Sequence, residues 1–155
     1  MIAVLYEPEI PPNTGNIARL CAAFDIELHL VEPLGFKLEN RYLKRAGLDY
    51  WPNVSMRIWK SWPEFIDFAG SGCRIVPVST KALTQLPDFH FVSTDALIFG
   101  PETRGLPASI LAAYQNQVRI PVRGMDAGGV RSLNLATACG IVVYTALAYC
   151  GMLDF

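Results

Sequence analysis

Familiar nucleotide-binding fingerprints are missing from this sequence: neither G-x-G-x-x-G nor G-x-x-x-x-G-K-[ST] occurs, so the usual dinucleotide and P-loop readings have no support. Histidine is scarce. His29 and His90 are the only two, without the paired spacing of a zinc site or a nucleophile elbow to serve, so both are assigned to structure and no metal is expected. An excess of either charge is also lacking. With 13 Lys and Arg against 14 Asp and Glu, the net charge of -1 excludes indiscriminate attachment to polyanions, which relies on cations displacing counterions from phosphates. Any nucleic-acid contact must use local basic patches.

No repeat, low-complexity tract or linker rich in Gly, Pro and Ser divides the 155 residues, which are expected to form one domain over 1–155. The four cysteines, Cys21, Cys73, Cys139 and Cys150, form no C-x-x-C pair, lie in apolar stretches and follow no cleavable leader. They read as buried thiols in a reducing cytosol, since a core drawn from 52% hydrophobic residues needs no staples. Residues 132–153 contain no charged side chain until Asp154 is reached, which meets a crude criterion for a membrane span. The small residues Ala136, Ala138, Gly140, Ala146 and Ala148, with Asn134, Thr137 and Thr145 among them, suit close packing against protein better than lipid. A helix apolar all round must be buried all round, so a second copy of the chain is expected to cover one of its faces.

Uninterrupted apolar runs at 2–6, 28–31, 75–78 and 96–100 alternate with helix-like stretches at 13–24, 39–47, 61–69 and the C-terminal segment. That is the pattern of an α/β fold whose mostly parallel sheet is covered by helices on both faces. Ser61-Trp62-Pro63-Glu64 matches a capping box.

Ligands of such sheets bind beyond the carboxyl ends of the strands, and three segments there carry polar groups. In Glu7 to Arg19, the prolines stiffen a loop and Asn13 or Thr14 is placed to cap a helix, whose first amides would form an anion site. Asn16 and Arg19 share a helical face; an ordinary capped helix with a solvated arginine is the alternative. In Phe99 to Pro107, Glu102 and Arg104 sit in a turn closed by Gly105, which is equally compatible with a structural salt bridge. In the third, Arg119-Ile-Pro-Val leads to a glycine-containing loop at 124–129 and then to Arg131, Ser132 and Asn134 at a helix start, where Ser132 reads first as an N-cap. Arg41, Lys44 and Arg45 place three cations on one face of a predicted helix with Tyr42 beside them, either a phosphate-holding face or a wet helix surface.

Taken in order, LYEPEIPPNTGNIARLC at 5–21, RAGLDY at 45–50, FGPETRGLPASIL at 99–111 and RSLNL at 131–135 resemble the SPOUT (SpoU–TrmD) methyltransferases. The similarity is greatest to the tRNA (cytidine/uridine-34-2′-O)-methyltransferase subfamily and spans nearly the whole chain. The resemblance implies a C-terminal trefoil knot, otherwise nearly absent from proteins, a cytoplasmic homodimer, and S-adenosylmethionine as donor, leaving S-adenosylhomocysteine. It implies transfer to a tRNA ribose 2′-hydroxyl at the wobble nucleotide. By motif it assigns Val78, Gly100, Glu102, Ile120, Ser132 and Leu133 to the cofactor, Arg19, Asn13 and Asn134 to catalysis, and Arg41, Lys44 and Arg45 to RNA. Two departures fall at the third motif: a longer loop before Arg131, and Ala136 where a serine is common. A non-catalytic RNA- or partner-binding dimer of the same fold is the alternative, and a flavodoxin-like enzyme would follow from an unknotted strand order.

Overall fold

The computed structural model describes residues 1–38, 53–123 and 132–153. Its centre is a seven-stranded, wholly parallel sheet in the order β3-β2-β1-β6-β4-β7-β5. The strands are β1 (Ile2–Tyr6), β2 (Glu27–Val31), β3 (Met56–Trp59), β4 (Arg74–Val78), β5 (Thr84–Gln85), β6 (Asp95–Phe99) and β7 (Val118–Arg119). The helices are α1 (Pro11–Ala23), α2 (Trp62–Ala69), α3 (Ala108–Ala113) and α4 (Leu135–Tyr149), with a 3₁₀ turn at Leu86–Asp88. The four apolar runs are β1, β2, β4 and β6, each within one residue of its expected bounds.

Alternation along the central strands explains why those runs are unbroken. Ala3 and Leu5 of β1, with Leu97 and Phe99 of β6, face a core shared with Ile17, Ala18 and Cys21 of α1 and Cys139, Val142 and Val143 of α4. Val4, Ala96 and Ile98 face the opposite core, built with Phe65 and Ala69 of α2. Both faces are dry, so both side-chain sets must be apolar. The short β5 and β7 and the edge strand β3, which carries the exposed Arg57, lack such a run and were not anticipated.

Local sequence accounts for α2 almost as read. Ser61 Oγ accepts the Glu64 amide at 3.4 Å, while the Glu64 carboxylate takes the Lys60 amide at 2.8 Å, one residue earlier than a standard capping box. α4 is shorter than its uncharged segment and only half covered within one chain. Cys139, Val142, Val143, Ala146 and Leu147 are buried, but Thr137, Ile141, Tyr144 and Ala148, at spacings of four, three and four, form an exposed stripe. Tyr144 is 49% exposed. Among the described residues, no helix is long and apolar enough to cross a membrane. All four cysteines are free; Cys21 and Cys139 are buried, Cys73 and Cys150 only partly so. Burial pushes the Cys21 thiol up to about 12, and raises Cys139 as well.

His29 is the one fully buried imidazole, ringed by Trp59, Phe65 and Phe68. Trp59 Nε1 donates to its Nδ1 at 3.0 Å, and an indole can only donate, so the neutral tautomer carries its proton on Nε2. Nε2 lies 3.1 Å from Glu27 Oε2 without an aligned hydrogen bond. Burial lowers the His29 pKa, against the opposing pull of Glu27. Burial alone would raise Glu27, but His29 and Arg57 outweigh it and hold that carboxyl below its ordinary value. A base with a depressed folded-state pKa stabilises the fold fully above its ordinary value of 6.5, and the contribution disappears as pH falls through 6.5 towards the folded pKa. Glu27 adds a second loss, below 4.5. The urea midpoint of unfolding is therefore expected to drop between pH 7.5 and 5.5, and to drop less in His29→Gln; equal slopes in the two proteins would assign the titration to another group.

Candidate active site

β1, β4, β6 and β7 all point their carboxyl ends at one side of the sheet, and the segments leaving them meet there. After β6, Gly100 lets the chain fold back on itself: a Cβ would stand 2.4 Å from the Leu106 amide nitrogen and 2.6 Å from the Gly105 carbonyl carbon. Gly105 holds φ +68°, which a side chain resists. This turn forms one wall of a pocket of about 500 Å³. Val78 at the end of β4, Ile120 just beyond β7, and Ser132, Leu133 and Asn134 before α4 form the rest, with Asn13 of α1. All six expected cofactor residues thus line one cavity, together with two of the three expected catalytic ones.

Arg19 is the exception. It is exposed on α1, six residues beyond Asn13, or about 9 Å along the helix axis, and is not part of the pocket wall. Arg41, Tyr42, Lys44, Arg45, the loop at 124–129 and Arg131 lie outside the described residues.

Polar order in the pocket begins at the amino end of α1. The sequence places Asn13 or Thr14 as the cap; instead Ile10 is the N-cap, without a side-chain bond, and Pro11 and Pro12 open the helix. Prolines supply no amide hydrogen there. The Glu102 carboxylate, 89 to 93 residues away in sequence, instead orders the loop that enters the helix. It accepts the Glu9 amide at 2.9 Å on Oε2, and the Ile10 amide and Asn13 Nδ2 at 3.1 Å on Oε1. A carboxylate at a helix amino terminus is favoured by the partial positive charge there. The anion site anticipated at the first amides of α1 does not form: Pro11 and Pro12 have no amide hydrogen, and the amides of Asn13 and Thr14 bond to Ile10 O.

Asn13 passes this order on. Its Oδ1 accepts Asn134 Nδ2 at 2.9 Å, and Asn134 Oδ1 accepts the amides of Ala136 and Thr137 at 2.9 and 3.3 Å. Asn134, not Ser132, is therefore the N-cap of α4, which leaves Ser132 free to line the pocket. One hydrogen-bonded chain links the start of α4 through Asn134, Asn13 and Glu102 to the start of α1. Each asparagine has its carboxamide orientation set by this network, with one N–H still available.

Sequence reasoning missed several wall residues. Ser79, Thr80 and Lys81 follow Val78 into the pocket, and Thr103 contributes beside Glu102. Glu9, on the loop facing that turn, accepts from the Thr103 amide and hydroxyl, while Arg104 pairs with Glu7. The prolines around Glu9 and the polar run after β6 were signals, but nothing local says that the two segments touch.

A relative from Aeromonas hydrophila, named tRNA (cytidine(34)-2'-O)-methyltransferase, is 43% identical over 156 residues, covering 97% of each chain. A solved structure from work on the 2-OH methylation of C/U34 on tRNA is 46% identical, with a TM-score of 0.89, covering 95% of this chain and 93% of that one. An AdoMet-bound rRNA methyltransferase from Sinorhizobium meliloti shares the fold, with a TM-score of 0.84 at 24% identity, over 96% of this chain and 56% of that one. Residues 1–144 match the model of the SpoU rRNA Methylase family. With that match over most of its length, and a pocket built from the ends of its parallel strands, the chain belongs to the SpoU rRNA methylase family.

Proposed function

We propose that this chain moves a methyl group from S-adenosylmethionine to the ribose 2′-hydroxyl of the wobble nucleotide of tRNA. The observation that carries the reading is the joining of three separate segments, at Asn13, at Gly100–Glu102 and at Ser132–Asn134, around one pocket in a member of this family. The relative named as a tRNA (cytidine(34)-2'-O)-methyltransferase supports the choice of nucleotide.

The residues present fit a nucleoside-based donor. A volume of about 500 Å³ falls within the usual small-molecule range of roughly 300–1,000 Å³. Val78, Ile120 and Leu133 offer apolar walls, and the tight turn at Gly100 brings backbone to the pocket surface with no side chain interposed. S-adenosylmethionine, when bound, supplies a sulfonium methyl carbon open to in-line attack. Holding the acceptor oxygen on that line is the protein's task, and such alignment supplies much of a rate enhancement.

Asn13 and Asn134 act as orienters. Each has its amide oxygen engaged and one N–H free, so each can donate to a ribose oxygen and neither can take its proton. Glu102 has both oxygens engaged, in three hydrogen bonds to the protein itself. The Arg19 guanidinium faces the acceptor oxygen and steadies charge developing on it, and a neighbouring RNA phosphate shares in removing the proton. Since Arg19 lies outside the pocket of its own chain, a second copy completes the site. The uncharged stripe of Thr137, Ile141, Tyr144 and Ala148, on the helix that packs against α1, is the surface through which two copies pair. The C-terminal chain threads as a trefoil knot, consistent with Ile120 and Ser132 sharing a wall with the Gly100 turn. Arg41, Lys44 and Arg45 hold RNA phosphates, and the enzyme works in the cytoplasm on free tRNA.

Incubation with labelled S-adenosylmethionine and bulk tRNA, followed by nucleoside analysis, is expected to yield a 2′-O-methylated pyrimidine at the wobble position. Binding of tRNA without label transfer or donor affinity would instead make the chain a non-catalytic RNA-binding dimer. Arg19→Ala is expected to keep S-adenosylhomocysteine affinity in calorimetry while turnover falls by about a hundredfold or more; near wild-type turnover would remove Arg19 from the mechanism. Tyr144→Arg, which puts a charge on the exposed stripe, should yield monomers in light scattering and abolish transfer, and an active monomer would overturn the shared site.

A further inference from the structure

We propose that Glu9 is a positioning residue of the donor pocket, acting as a clasp that holds the turn at 101–104 in place through Thr103. The inference rests on the methyl-donor reading of that pocket. Glu9 reaches across to the turn from the loop between β1 and α1: its Oε2 accepts the Thr103 amide at 3.0 Å, and Thr103 Oγ1 donates to Oε1 and Oε2 at 3.0 and 2.8 Å. In the opposite direction, Glu102 on the turn accepts the backbone amides of Glu9 and Ile10. Each segment therefore offers a carboxylate to the main chain of the other. The two links are antiparallel, so together they fix both the separation and the tilt of the turn, which one link alone leaves free to pivot.

Glu9 is itself anchored from behind. Gly35, beyond β2, donates its amide to Pro8 O at 2.9 Å, and a Cβ at Gly35 would stand 2.8 Å from Glu9 Cα. The backbone of Glu9 is thus pressed between the β2 loop and the turn, and its side chain has a fixed origin from which to hold Thr103. Arg104 adds charge from the same turn, pairing with Glu7 and placing Nε 3.9 Å from Glu9 Oε1. An exposed ion pair of that length contributes little. The hydrogen bonds to Thr103 are charge-assisted and carry the clasp.

The residues so held, Pro101 to Arg104, are pocket wall, whereas the Glu9 side chain is not among the lining groups. Glu9 touches no reacting atom on this reading, and its loss acts through the wall it positions. Donor affinity should suffer while the chemical step at saturation is largely spared.

The test uses the full chain and S-adenosylhomocysteine as probe, so that affinity is read without turnover. Glu9→Ala is expected to weaken binding by about tenfold, the effect of losing charge-assisted hydrogen bonds at one site. Turnover at saturating donor and tRNA should fall less than about threefold, and KM for the donor should rise with Kd. Glu9→Gln, which keeps an acceptor oxygen for the Thr103 amide but loses the charge, should recover only part of the affinity, and should the alanine variant fail to fold, wild-type affinity in both Glu9→Gln and Thr103→Val would overturn the clasp. Thr103→Val should weaken binding in the wild-type background and add nothing in the Glu9→Ala background, a coupling that a general loss of stability does not produce. Unchanged affinity in a folded Glu9→Ala, or additive effects of the two substitutions, would overturn the clasp alone. Failure of the wild-type protein to bind S-adenosylhomocysteine would overturn the donor reading and the clasp with it.

Discussion

The arrangement of the pocket depends on a carboxylate placed at the start of a helix that cannot cap itself. α1 opens with two prolines behind an isoleucine, so neither its N-cap side chain nor its first amides can organise the loop. Glu102 does so from the far strand, and three donors converge on its two oxygens. A partly buried carboxylate is tolerable only when its oxygens are engaged in this way. The same bonds that stabilise Glu102 also set the distance between β1 and the turn after β6. Asn13 and Asn134 then follow in register, because each amide has only one orientation that satisfies both neighbours.

This explains why the polar residues of the site span the length of the chain. Adjacent parallel strands end on the same side of the sheet whatever their separation in sequence, and β6 lies beside β1. The loop at 7–10 and the turn at 101–104 are neighbours for that reason, and α4 reaches them by packing on α1 over the same face. Sheet topology brings the segments within range, and the carboxylates fix what it leaves loose.

Much of this fold was legible in the sequence, and what was not has a physical reason. β1, β2, β4 and β6 announced themselves because strands dry on both faces must be apolar throughout. Edge strand β3 and the two-residue β5 and β7 carry no such constraint, since a pair of residues has no period. The caps were misassigned at both site helices. At α1 local rules favour Asn13 or Thr14, but the helix starts at the prolines behind Ile10 and its entry loop is ordered by Glu102, 89 to 93 residues from its partners. At α4 Ser132 and Asn134 are both good local caps, and only the fold chooses Asn134. Spacing alone also left each of the three segments compatible with an ordinary turn or cap. It was their combined resemblance to one family that marked Val78, Gly100, Ile120 and Leu133, apolar or featureless residues with no chemical signature of their own.

The chemistry available to this pocket follows from what its polar groups have left to give. Asn13 and Asn134 each keep one N–H to donate, Glu102 has no oxygen without a partner, and the thiols of Cys21 and Cys139 are buried in the core and held protonated. The two carboxamides and the engaged carboxylate at its centre are ill suited to attacking a substrate or to carrying a proton through a cycle. They are well suited to fixing two molecules against each other when one already carries an activated leaving group, because alignment then remains as the chief barrier the protein can lower. The demand on the scaffold is accordingly rigidity, and the structure meets it with hydrogen bonds from two carboxylates and two carboxamides that join four strand and helix ends.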